Sequence, residues 1–372
     1  MKPSAPVVRR TASMTSQLGL TDRIFATASD RGLASRIDTS LKQVEAELLA
    51  EVTFADEIAN VTGRYLLNAG GKRVRPMLAL LTANLGSGAV PDVVTAATAI
   101  EITHLASLYH DDVMDDSDKR RGVPSAQTVW GNSIAILTGD LLFARASQLM
   151  ARLGERAIRL QADTFERLVM GQLHETVGPR DGEDPVQHYI QVLADKTGSL
   201  IAAAAQAGIA FSDAPDEYEG PVIAFGEKIG VAFQLIDDVI DLSPRAEETG
   251  KVPGTDLRAG VSTLPLLRLR DLAETDASAA SLLARLDADV RAVPTPADAV
   301  DGDESDRPVS AAEAAAADAA IAALRDHQVT TDTLDEAHRW ARDAVEAIEP
   351  LPSGSVKKAL TRFAETIVER SR

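Results

Sequence analysis

His110-Asp111-Asp112-Val113-Met114-Asp115-Asp116-Ser117-Asp118-Lys119-Arg120-Arg121 sets five aspartates within eight positions and closes on two arginines. On a helix, Asp111 and Asp115 are i,i+4 neighbours with Asp112 beside them. Carboxylates so close repel unless they are solvated, protonated or shared by a cation. Oxygen-only ligands suit a hard cation, and Mg²⁺ fits best, because it keeps waters and completes its shell with phosphate oxygens. A second Asp-Asp-x-x-Asp ends another apolar run, Phe233-Gln234-Leu235-Ile236-Asp237-Asp238-Val239-Ile240-Asp241. One such motif is weak evidence in an acidic chain. Two, each at the tip of an apolar helix, are hard to obtain by accident.

The rest of the composition narrows the chemistry. Charges number 38 Lys and Arg against 56 Asp and Glu, a net of −18. That argues against nucleic acid or an anionic membrane as a general partner, and makes any basic cluster a candidate anion site. There is no cysteine, so thiol catalysis, disulfides and thiolate metal sites are excluded. No run of about eighteen apolar residues occurs and no apolar region follows Arg9-Arg10, so neither a span nor a secretory signal is expected. The expected location is cytoplasmic. With 4% aromatic residues, the core must be built from Ala, Leu, Val and Ile, which favours helices.

Helical spacing runs through the chain: Leu33–Asn68 as a helix pair, Met77–Leu85 after Pro76, and Pro91–Asp116. Ser125–Leu153, Ala157–Thr176, Pro185–Phe211 and Tyr218–Leu242 follow. Pro265–Ala273, Ser278–Leu286, Ala311–Leu324, Thr333–Ile348 and Val356–Arg372 complete the set. No β-alternation persists. Residues 1–30 read as a mobile arm with a short helix near Gln17–Ala28, and 293–308, poor in core residues, as a disordered insertion. The expected fold is all-α, a single helical bundle over 31–372 around a central cavity.

Other groups could serve that cavity. Gly70-Gly71-Lys72-Arg73-Val74-Arg75-Pro76 gathers three cations beside two glycines at a helix start, a cradle for a diphosphate. Arg120-Arg121 follows the first acidic motif and would, by itself, be read as salt-bridging Asp116 and Asp118. His104 lies seven residues before Asp111, on roughly the same face. Lys196-Thr197 and Lys251 are isolated and would each pass for surface residues. Together, two carboxylate clusters and separate basic sites suit two diphosphates. Departure of an allylic diphosphate, protected from water, would leave a carbocation that a second molecule's C=C bond can attack.

In these motifs the chain resembles the trans-isoprenyl diphosphate synthases, or polyprenyl synthetases, from about Gly63 to Leu267. The resemblance implies an all-α isoprenoid synthase bundle, usually a homodimer. It makes Asp111, Asp112, Asp115, Asp237, Asp238 and Asp241 the Mg²⁺ ligands. It assigns Lys72, Arg75, His104 and Arg121 to isopentenyl diphosphate, and Arg120, Lys196 and Lys251 to the allylic diphosphate, with Thr197 and Gln234 nearby. The implied reaction is ionisation, head-to-tail (1′-4) condensation, and proton loss to the released diphosphate. Membrane contact would be peripheral, for product release.

Two stretches depart from the family pattern. Gly171-Gln172-Leu173-His174-Glu175 exchanges the usual Glu and Gln, and Gly260-Val261-Ser262-Thr263-Leu264-Pro265 lacks the usual lysine. Ala106 and Ser107, where bulky residues shorten the product in relatives, are small. A long product such as a quinone side-chain precursor is therefore expected, against a short-chain farnesyl or geranylgeranyl diphosphate. A terpene cyclase would not need the Gly-Gly-Lys-Arg loop, and a non-catalytic subunit would not keep both aspartate motifs.

Overall fold

The computed structural model describes Ile24 and residues 30–243, 253–291 and 310–369. The rest of the expected arm, the 293–308 insertion and Lys251 lie outside the described residues. The protein is all-α, as its composition requires. Its elements are α1 (Arg31–Glu51), α2 (Glu57–Asn68), α3 (Val74–Ala83), α4 (Pro91–Met114), α5 (Ala126–Trp130), α6 (Asn132–Arg152) and α7 (Glu155–Val177). Next come α8 (Pro185–Leu193), α9 (Ser199–Ala210), α10 (Glu219–Asp241), α11 (Thr255–Arg258), α12 (Leu264–Ala273) and α13 (Ala277–Leu286). The last are α14 (Ala311–Arg325), α15 (Gln328–Ala347) and α16 (Ser355–Val368). Local chemistry sets many of the ends. Asp56 and Asp184 accept backbone N–H bonds at the starts of α2 and α8, Ser310 and Glu313 form a capping box, and Pro91 occupies the first position of α4.

The chain divides into two compact units. The first comprises Met1–Met170, Asp195–Gly230 and Asp343–Thr366. Its axis is α4, apolar on nearly every side, with Val93, Ala97, Ile100, Leu105, Ala106 and Tyr109 all buried. Small residues let neighbours approach closely. A methyl at Gly208 would strike Thr82 of α3, whose hydroxyl donates to the Ala205 carbonyl at 2.9 Å. A methyl at Gly230 would lie 2.5 Å from the Gly198 Cα, and one at Gly226 2.5 Å from the Ala202 Cα. These contacts fix α10 against the turn carrying Lys196 and against α9. Helix α6 is long and apolar enough to cross a membrane by length and composition. It packs Ala135, Gly139, Leu142 and Leu149 inward.

The second unit comprises Gly171–Ala194, Val231–Arg342 and Ile367–Arg372. Its core is aliphatic: Leu242, Leu257, Leu266, Leu269, Leu282, Leu286, Ile321 and Leu324. Each such side chain contributes roughly 1.5–3 kcal/mol on burial.

Several element boundaries differ from those the sequence suggests, each for a local reason. Helix α3 begins at Val74 rather than after Pro76, because Arg73 takes a left-handed conformation (φ 50°) as its N-cap. Helix α4 stops at Met114, not Asp116: Asp116 turns left-handed (φ 47°) and the Ser117 N–H returns to the Asp112 carbonyl at 2.9 Å. A two-residue antiparallel ladder then pairs Lys119–Arg120 with Val123–Pro124, where no strand was expected. Arg121 and Gly122, both at positive φ, make its turn. Gly131 (φ 84°) separates α5 from α6. The expected Pro185–Phe211 helix carries a π-helical turn at Ala194–Gly198, the segment holding Lys196 and Thr197.

Candidate functional site

In the first unit, the Gly70–Arg75 loop and the Arg121 turn build one basic cluster. Arg121 Nη1 donates to the carbonyls of Leu66 (2.9 Å) and Gly70. Arg73 Nη1 also reaches the Gly70 carbonyl, at 3.4 Å. A methyl on Gly71 would collide with the guanidinium of Arg73 and crowd that of Arg121, so glycine is needed there. Arg75 is half-buried, and its Nε has no partner. Burial lowers its pKa against the opposing charges of Glu101 and Asp111. Burial also lowers that of Arg121, to about 10, and Arg73, Arg120 and Arg75 push the same way. His104 sits among these cations. Burial and then Arg75, Arg121, Arg73 and Arg120 hold it well below the ordinary imidazole value, so it is neutral at pH 7. A half-buried cationic cluster in which the Arg75 Nε is still unpartnered is suited to receive an anion.

The first acidic motif adjoins this cluster. Asp112 is fully buried; Arg120 Nε donates to its Oδ1 at 2.6 Å, and its Oδ2 has no partner. Burial raises its carboxyl above the usual range despite Arg120, and Asp115 adds to the rise. Arg120 therefore answers Asp112, not Asp116 or Asp118, and Arg121 answers backbone carbonyls. Asp115 caps α4 with its N–H on the Asp111 carbonyl at 2.8 Å, so the i,i+4 relationship survives. Ala106 and Ser107 are buried on α4, and Lys72 is exposed on the loop. Lys196 and Thr197 are half-buried on the π-helical turn, beside Asp195, which accepts from Arg167 Nε at 3.0 Å.

The second unit holds the other acidic motif at the end of α10. Asp238 is buried, and the Tyr189 hydroxyl donates to its Oδ2 at 2.8 Å. Burial raises the Asp238 carboxyl well above its usual range; Tyr189 opposes the rise, while Asp256 and Asp237 add to it. Asp241 anchors the following loop: its Oδ2 accepts from Asp256 N (3.1 Å) and its carbonyl from Gly254 N (2.8 Å). Gln234 and Asp237 are half-buried on the same helix. Gln172, one of the exchanged residues, is buried with its Oε1 unpartnered.

Among the described residues, no three His, Cys, Asp or Glu side chains cluster so as to hold an ion on their own. The donor set nevertheless fits a hard divalent cation. The ligand atoms are carboxylate oxygens, Asp112 has a buried unpartnered one, and burial disfavours the charged form of Asp238, which a bound cation would favour.

Three participants were not singled out from the sequence: Glu101, Tyr189 and Asp256. Glu101 had a signal, an acid inside an apolar helix three residues before His104 and so on its face. Asp256 follows the second motif in a polar loop. Tyr189 had none, since a tyrosine at helical spacing reads as core.

The polyprenyl synthetase family profile matches residues 56–295. The chain is 46% identical over 261 residues to a nonaprenyl diphosphate synthase of Mycobacterium tuberculosis, covering 70% of this chain and 76% of that protein. Its structure is similar to that of a decaprenyl diphosphate synthase from Rhodobacter capsulatus, with TM-score 0.76, 30% identity, and 92% and 99% of the two chains covered. It is also similar to a geranylgeranyl pyrophosphate synthase from Corynebacterium glutamicum complexed with calcium and isoprenyl diphosphate. There the TM-score is 0.75, identity 37%, and coverage 91% and 98%.

Proposed function

The chain belongs to the polyprenyl synthetase family, and from that membership we propose that it extends an allylic diphosphate with isopentenyl diphosphate, head to tail, using Mg²⁺. It is a polyprenyl diphosphate synthase, a prenyltransferase of the long-chain type. The observation that carries the reading is the half-buried Arg75–His104–Arg121 cluster, with neutral His104 and an unpartnered Arg75 Nε, next to a carboxylate motif suited to a divalent ion.

Lys72, Arg75, His104 and Arg121 bind the diphosphate of isopentenyl diphosphate. The Arg75 Nε supplies an unused donor, and neutral His104 supplies one N–H without adding a further charge to the arginines. Arg120, Lys196, Lys251, Thr197 and Gln234 belong to the allylic diphosphate. Asp111, Asp112, Asp115, Asp237, Asp238 and Asp241 are the residues that would hold Mg²⁺. When bound, the ion neutralises the diphosphate and makes it a better leaving group. Arg120 keeps Asp112 oriented, and Tyr189 does the same for Asp238. The allylic C–O bond breaks, a C–C bond forms to C4 of isopentenyl diphosphate, and the proton lost passes to the released diphosphate. No side-chain nucleophile takes part.

The product is a long all-trans polyprenyl diphosphate, suited to a quinone side chain. Supporting this are the small Ala106 and Ser107 and the nonaprenyl and decaprenyl synthases among similar proteins. The 37% identity to a geranylgeranyl synthase favours a shorter product as the second reading. A homodimer in the cytoplasm belongs to the same proposal. Ile136 and Leu137 on α6 and Ile158, Val169 and Met170 on α7 are exposed apolar residues that a second copy would cover. The test incubates the purified chain with Mg²⁺, labelled isopentenyl diphosphate and primers of graded length, and then sizes the products. Absence of condensation with every primer would overturn the reading.

A further inference from the structure

Behind the basic cluster lies an ion triad that the reaction itself does not use. Glu101 projects from α4 with its side chain 3% exposed, and its Oε1 accepts from Arg73 Nη1 at 3.1 Å. Arg73, 6% exposed, also donates through Nε to Glu45 of α1 and through Nη1 to the Gly70 carbonyl. Arg73 holds φ at 50°, a conformation rare for residues other than glycine. Arg73 thus spends its donors on Glu45, Glu101 and the Gly70 carbonyl. The neighbouring Arg75 keeps an unpartnered Nε, and Arg121 is anchored on the same Gly70 carbonyl.

Glu101 also acts on the other members of the cluster. Its charge opposes the lowering that burial imposes on both Arg75 and Arg121. It therefore lies near three arginines that would otherwise repel one another around neutral His104. A buried carboxylate in that place compensates the cations before substrate arrives. Because it is bonded to Arg73, it does so without occupying the donors of Arg75.

The geometry points to Glu101 as a positioning residue for isopentenyl diphosphate, acting through Arg73 to hold the Gly70–Arg75 loop and Arg121 in the anion-binding arrangement. The inference rests on the assignment of Arg75, His104 and Arg121 to that substrate. Glu101 touches neither reacting atoms nor diphosphate, so its effect belongs on one Michaelis constant rather than on the chemistry.

The test is steady-state kinetics of the full chain carrying Glu101→Gln. The KM for isopentenyl diphosphate rises about tenfold or more, while the KM for the allylic primer stays within about twofold and kcat at saturation changes little. Adding Arg73→Met to Glu101→Gln has no further effect on that KM, because the two residues act as one unit. Glu45→Gln, at the solvent end of the triad, gives a smaller rise of about two- to threefold and serves if Glu101→Gln does not fold. Equal rises in both KM values, a fall in kcat alone, or an unchanged isopentenyl diphosphate KM in the folded variants would overturn the inference. Arg75→Met separates the two levels. If it raises the isopentenyl diphosphate KM while Glu101→Gln does not, only the positioning role fails. If it leaves that KM unchanged, the substrate assignment itself fails.

Discussion

The Tyr189 hydroxyl donates to Oδ2 of Asp238 at 2.8 Å, so the most deeply buried carboxylate of the second motif is oriented by a phenol from α8. That bond partly offsets the desolvation of Asp238. Tyr189→Phe removes the donor and keeps the ring. The expected result is a loss of about 1–3 kcal/mol in stability and a higher Mg²⁺ concentration for half-maximal rate. Urea unfolding and a Mg²⁺ titration of the rate measure the two effects; an unshifted Mg²⁺ midpoint would remove Tyr189 from any role in ion binding.

Asp238→Asn separates stability from function at the same spot. Burial, with Asp256 and Asp237, raises the folded-state pKa above the ordinary carboxylate value. The unfolded chain therefore ionises first as pH rises. Stability falls between the unfolded and folded pKa, and the full cost remains above the folded one. Without metal, Asp238→Asn should thus melt higher than the parent by a few degrees at pH 8, the gain vanishing toward pH 4. Mg²⁺ should stabilise the parent more than the variant, and activity should fall about a hundredfold or more. Calorimetry with and without chelator decides it, and a variant less stable at pH 8 contradicts the argument.

His104 gives the opposite pH slope. Its folded-state pKa lies well below 6.5 because of burial and the surrounding arginines. Below the ordinary imidazole value the unfolded chain binds a proton that the folded chain refuses, so stability is lost as pH falls from about 6.5. His104→Gln should flatten this part of the profile and raise the KM for isopentenyl diphosphate. Urea midpoints between pH 5 and 8 for parent and variant provide the check; parallel profiles would mean that His104 titrates normally.

Much of this was legible beforehand, because charge clustering and helical period are local properties. The acid motifs, the Gly70-Gly71 loop, His104 and the all-α class follow from residues within one or two turns of each other. What escaped depends on contacts distant in sequence. Arg73 looked like a ligand-facing cation, yet it donates to Glu45 and Glu101. Arg120 and Arg121 stand closest in sequence to Asp118, but the tight turn at Arg121-Gly122 carries them to Asp112 and to the Gly70 carbonyl. The π-helical turn at Lys196 has no periodic signature short enough to read.

Product length is the last expectation with a residue attached. Ala106 is fully buried on α4, and its carbonyl lies 3.2 Å from where a methyl on Gly139 of α6 would sit, so the two helices are in close contact there. Ser107, the next residue, is also buried, and its hydroxyl donates to the His104 carbonyl at 3.0 Å. If the growing chain passes these positions, a large side chain must stop it. Ala106→Phe and Ser107→Phe should both shift products toward farnesyl or geranylgeranyl length. Each should also cost about 1–3 kcal/mol through overpacking, without abolishing the first condensation. The stability cost alone cannot shorten a product, so chromatography of the prenyl alcohols, compared at equal folded protein, isolates the cavity effect. An unchanged length distribution in both variants would place the limit to chain growth elsewhere than on α4.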